Sequence, residues 1–198
     1  MSHEISRTDW DICLTQQDLC TLAMDMGFDE EDFIPKYMLS DFCKLEMNAP
    51  YSFFHRADLA YTMSVLLDEI LPQKADMHYE YHVIKWIGCT YKYLQLRLRI
   101  PSRDVYRLVP FGKILRYHAG MCTEDTEYFI GVLQERYGKE IKSCRQSHCI
   151  MAPGTESQET YSRQDGRNAT SEKAFTCIRN PNMQKHWYII SRMPRFTA

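Results

Sequence analysis

No stretch of the 198-residue sequence approaches 18 consecutive apolar positions, so no membrane-spanning helix is expected. The opening MSHEISRTDWDICL lacks a basic start followed by an apolar run and does not read as a secretory leader. The chain is therefore expected to be cytoplasmic, where its eight cysteines stay reduced and disulfides are rare. G-x-S-x-G, P-loop, H-E-x-x-H and dinucleotide glycine patterns are all missing, as is any C-x2-C pair. On this basis no catalytic residue, metal or cofactor is assigned, and an enzyme is unsupported. There is no internal repeat, and no strand-like alternation before Gly138.

What is present is enough apolar material for a core. Apolar residues make up 44% and aromatics 13% of the chain, with 13 tyrosines, so whole-chain disorder is excluded. The net charge of −2 conceals a polarity. Residues 1–80 hold 16 acids and 5 bases, residues 81–138 hold 5 and 9, and residues 139–198 hold 5 and 10. An acidic front and a basic back either steer partners or neutralise each other within the molecule.

Helical signals recur up to Gly138, which defines an expected domain over 1–138. Thr15 with Asp18 reads as a helix start, Leu19, Leu22, Ala23 and Met26 follow at helical spacing, and Gly27 stands where a terminating glycine belongs. A second helix begins near Asp29, with Pro35 expected to delay or kink it. Pro50 opens a third, to about Leu71. A fourth runs from about His78 to Arg99, apolar on several faces and hence central, with Trp86 in the core and Gly88 at a close crossing. Ser102 starts a short fifth, Pro110 a sixth through His118, and Thr123 a last helix ending at Gly138. Residues 139–198 read as a linker or tail with at most short local structure, poor in large apolar residues over 143–173. The fold class is all-α, a compact helical bundle with a polar, poorly ordered C-terminal tail.

The densest chemistry lies in residues 82–111. Arg97, Arg99, Arg103 and Arg107 fall within eleven residues, with Tyr91, Tyr93 and Tyr106 close by. Guanidinium groups offer planar donor forks for carboxylate or phosphate, so these seven residues are the candidate partner-binding set. The same stretch can be read as a helix-turn-helix, although the usual glycine-bearing turn is missing. Cys144, His148, Cys149, Cys177 and His186 have zinc-compatible types but not zinc spacing. His78 and His82 stand at i, i+4 without a third ligand, and Cys13, Cys20, Cys43 and Cys89 read as small core residues.

Trp86, Ile87, Gly88, Tyr91 and Tyr93, followed by Ser102, Val105 and Tyr106, form a W-I-G-x-x-Y-x-Y helix and a short S-x-x-V-Y helix. Over roughly residues 20–138 this pattern resembles a group of small, uncharacterised helical proteins from Gram-positive gut bacteria. Members of that group tend to be encoded beside proteins resembling ADP-ribosyltransferase-type toxins. The resemblance implies a non-catalytic protein-interaction module, the antitoxin-like or accessory member of a toxin–antitoxin or mobile-element pair. It brings no catalytic residue with it. The partner it implies is then a protein, the product of an adjacent gene, with nucleic acid as the alternative and no membrane. Two other readings stay open: a nucleic-acid-binding regulator using the basic segment 81–118, and a phage or mobile-element inhibitor of a host nuclease using the acidic half.

Overall fold

The computed structural model of the chain describes residues 5–121 and 126–149. Among these it is all helical, apart from one isolated antiparallel bridge between Phe28 and Lys74. The elements are α1 (Arg7–Asp25), α2 (Glu30–Leu39), a π-helical turn (Cys43–Met47), a 3-10 turn (Phe53–His55), α3 (Leu59–Leu67), α4 (Tyr81–Leu98), α5 (Ser102–Leu108), α6 (Phe111–Met121) and α7 (Thr126–Cys149). No described helix is long and apolar enough to cross a membrane.

The first helix starts earlier than Thr15. Ser6 and Asp9 form a reciprocal capping box, each side chain accepting a hydrogen from the other residue's backbone N–H. Thr15 sits inside α1, its hydroxyl near the carbonyls of Asp11 and His55, each at 3.1 Å. The end falls where expected. Gly27 adopts φ 75°, with Gly27 N donating to Met24 O (2.7 Å) and Phe28 N to Ala23 O (3.0 Å), a Schellman closure. Pro35 neither delays nor stops α2, which begins directly after its Asp29 cap.

Pro50 opens no helix. Ser52 caps the 3-10 turn through Phe54 N, and Asp58 separately caps α3 through Tyr61 N. Two local caps within seven positions break what reads as one helix from Pro50 to Leu71.

The core is organised by α4 crossing α1, as the pattern around Gly88 predicts. A Cβ on Gly88 would lie 3.0 Å from Gln17 Cα and 3.1 Å from Cys20 Sγ, so the two backbones meet at a distance only glycine allows. Buried Gln16 ties three helices together: its Nε2 donates to Gly88 O (3.1 Å), and its Oε1 accepts from the Tyr37 hydroxyl (3.1 Å). Ile12, Cys13, Leu19, Cys20 and Ala23 of α1 pack with Ile84, Ile87, Tyr91 and Leu94 of α4 in the same buried cluster.

Trp86 is half-buried, not central. Its ring meets His118 of α6 at 5.2 Å and Phe129 of α7 at 6.2 Å. Nor does the last helix end at Gly138. It bends at Tyr137 (φ −122°, ψ 20°) and continues to Cys149, because Ile141 is buried in the core and Arg145 Nε reaches Leu98 O at 2.6 Å. The packed body thus extends beyond the expected boundary at 138. The expected start at Thr123 and the tail from residue 150 lie outside the described residues.

Candidate functional site

The structure scatters the seven-residue arginine–tyrosine set. Tyr91 is fully buried and donates its hydroxyl to Val109 O (2.8 Å), with Tyr106 against its ring at 6.1 Å. Tyr93 is also buried, and its hydroxyl donates to the Glu127 carboxylate. Arg97 forks onto the same carboxylate, with Nε 2.9 Å from Oε1, and its side chain is only 8% exposed. Burial, then the bond to Glu127, raises the Tyr93 phenol to about 12, while the Arg97 hydrogen bond holds Glu127 below its ordinary range. Arg103 donates to Leu39 O (3.1 Å) and lies 3.8 Å from Asp41, while Arg107 pairs with Asp104 on its own helix at 3.2 Å. Arg99 is exposed, in a left-handed conformation just past the end of α4. Tyr91, Tyr93 and Arg97 are thus internal fasteners, whereas Arg99, Arg103 and Arg107 stay at the surface. Spacing alone does not distinguish an arginine that solvates a rim from one that closes a helix end.

Nor do the other sequence candidates assemble into a site. His78 bonds Glu30 at 2.8 Å, whereas His82 lies 3.2 Å from Glu80 and meets the His118 ring tilted at 5.6 Å. Cys13, Cys20 and Cys43 are buried free thiols and Cys89 is half-buried. The hydrogen bond from Cys13 to Cys89 and burial push the Cys13 thiol well up. Among the described residues no group of three potential ligands can hold a metal. The side chains of His148 and Cys149, and all of Cys177 and His186, lie outside the described residues.

The acidic start of α2 is likewise occupied from within. Asp32 accepts from Lys36 Nζ and from Gln73 N, both at 2.7 Å, and Tyr79 donates to Glu31. These contacts fasten the 71–79 strap over the α1–α2 junction, with Asp29 N donating to Gln73 O at 2.9 Å. The charge polarity is therefore partly absorbed by neighbours in the same half. Arg103 and Asp41 join the two halves.

Two features went unread in the sequence, and both arise from segment 43–61. The first is aromatic. Phe42 is buried and meets Phe54 edge-on at 4.9 Å; Phe54 stacks on Tyr61 at 6.1 Å, and Phe53 lies 5.6 and 6.3 Å from those two rings. This ladder leads from core to solvent, where Phe53 is 71% exposed. In the same segment Leu45 is 63% and Tyr51 98% exposed. A Glu69 carboxylate oxygen accepting from Phe42 N (2.7 Å) anchors the base of the segment. Read as one helix, the segment would have hidden Phe54 in a buried stripe.

The second feature is a cleft of about 540 Å³ between the start of α1, segment 48–55 and the last turns of α4. Lys92, 1% exposed, lines it and donates to the Met47 carbonyl, which His55 Nε2 also approaches at 3.2 Å. Burial lowers the Lys92 ammonium to about 8 and pulls His55 below the ordinary imidazole value. Beside Lys92, the buried Gln95 Oε1 has no hydrogen-bond partner among the described residues. A lysine on what reads as a core helix gives no sequence sign of lining a cleft, because the opposite wall comes from distant positions. No protein-family model, curated protein or solved structure matches the chain.

Proposed function

We propose that the chain is a cytoplasmic, non-catalytic protein-interaction module whose contact surface is the aromatic face of segment 45–61. The observation that carries this reading is the exposure of Leu45, Tyr51 and Phe53 within nine residues of one segment, with Phe53 backed by a ring ladder anchored in the core. Single exposed apolar residues are ordinary, but a group of large ones on an anchored segment marks an interaction site. Aromatic side chains are enriched at such surfaces and carry much of their binding energy. The Phe53 ring is held by Phe54 and Tyr61, so little ordering of that anchor is lost on contact. The antitoxin-like or accessory role in a bacterial toxin–antitoxin or mobile-element pair rests on the sequence resemblance, and it names the product of an adjacent gene as the partner. The nucleic-acid reading loses Arg97, whose side chain is 8% exposed and committed to Glu127.

The test is a titration of that gene product against the native chain and against Phe53→Ser with Tyr51→Ser. Loss of anchor residues at an interface costs about 2 kcal/mol or more, roughly a thirtyfold fall in affinity. Unchanged affinity would remove the aromatic face from the contact. Salt-steep binding to duplex DNA, unaffected by the two serines, would favour the regulator.

A further inference from the structure

The cleft over Lys92 supports a second inference, carried by its α4 wall, although Tyr51 of the aromatic face lines its opposite side. Lys92, Gln95 and Arg99 line it at i, i+3 and i+7, on one side of α4 and its first residue beyond. Each has hydrogen-bonding capacity that the described residues do not fill. The Lys92 ammonium has three N–H donors, and the described residues give it one hydrogen-bond acceptor, the Met47 carbonyl. The Gln95 Oε1 is buried without a donor, an arrangement that costs free energy wherever nothing completes it. Arg99 makes no ion pair among the described residues and stands exposed at the rim. The acid in the cleft, Asp9, is already taken up by Ser6, through its N at 3.1 Å and its Oγ at 2.8 Å. The unfilled groups therefore run donor, acceptor, donor from the buried Lys92 to the exposed Arg99, with positive charge at both ends and the Ser6-bound Asp9 carboxylate on the α1 wall.

We infer that this cleft binds a carboxylate bearing an acylated amine, the chemistry shared by an N-acyl amino acid and a protein C-terminus. The order of groups in that ligand matches the order along α4. Its carboxylate faces the Arg99 guanidinium, which suits planar two-oxygen recognition. Its amide N–H fills Gln95 Oε1. Its acyl carbonyl accepts from Lys92, which stays protonated near neutral pH. The cleft volume of about 540 Å³ lies within the range of small-molecule sites.

The experiment titrates the full chain with three probes, followed by NMR chemical shifts. N-acetylglycine has the carboxylate and the N–H, N-acetylsarcosine lacks the N–H, and N-acetylglycinamide lacks the carboxylate. The inference expects N-acetylglycine to bind in the millimolar range and each analogue to bind roughly tenfold more weakly. Gln95→Leu should abolish the preference over N-acetylsarcosine, and Arg99→Asn the preference over N-acetylglycinamide. Asparagine tolerates the left-handed backbone at position 99, so that variant keeps the fold. A glycine-ended tetrapeptide separates the two sources. Tighter binding than N-acetylglycine assigns the cleft to a protein C-terminus, and equal binding to a free acyl amino acid. Three indistinguishable probes, no binding at millimolar concentration, or N-acetylglycine binding unmoved by both substitutions would each overturn the inference.

Discussion

The crossing of α1 over α4 and the segment from Cys43 to Tyr61 are built by opposite rules. At the crossing, backbones approach to the limit a glycine sets, and the polar groups of Gln16 and Tyr37 are matched to one another. Along 43–61 a π-helical turn and a 3-10 turn replace regular helix, large rings face solvent, and a cleft holds an unmatched amide oxygen nearby. The first region has little room for change without loss of stability. The second carries features that add nothing to stability, and such features are expected where a surface serves binding. The comparison separates the tightly packed part of the bundle from the part proposed for contact.

Overfilling the crossing should have the largest effect. In Gly88→Val, the added carbons would meet Gln17 backbone and Cys20, at an expected cost of about 3 kcal/mol. Urea unfolding measures this directly. A variant as stable as the native chain would mean that the helices separate without penalty. A smaller loss is expected from Gln16→Leu, which strips the Tyr37 hydroxyl of its buried acceptor, at roughly 1–3 kcal/mol.

Acidification should weaken the fold by a different route. His118 is held below the ordinary imidazole value by burial and by neighbouring His82, and His55 chiefly by burial. As pH falls through about 6.5 the unfolded chain takes up protons that the folded chain refuses, so stability drops from there towards the folded values. Urea midpoints at neutral and mildly acidic pH should show this fall, and His118→Gln should make it shallower. A midpoint that rises on acidification would contradict the sign.

Patterns that depend on neighbouring residues were readable in the sequence. Asp29 and Gly27 mark real helix ends, and Gly88 marks a real crossing, because caps and close approaches are written in local residue types. The start of α1 was misplaced because Thr15 and Asp18 imitate the box that Ser6 and Asp9 form. Gly138 imitated a stop, whereas burial of Ile141 carries α7 onward. The arginine cluster misleads for a related reason: what two of its guanidiniums touch depends on residues 30 and 64 positions away, Glu127 for Arg97 and Leu39 for Arg103. The aromatic face and the cleft depend on how Pro50 to Asp58 turns, and that turn is decided by two caps and by packing against α1 and α4.

The division between a packing region and a contact region is tested most directly by amide hydrogen exchange, with and without the product of the adjacent gene. The account predicts that the partner slows exchange across residues 43–61 and leaves α1 and α4 at their crossing unchanged. Slowed exchange in α5 and α6, with 43–61 unaffected, would contradict it and return the contact to the arginine-bearing helices.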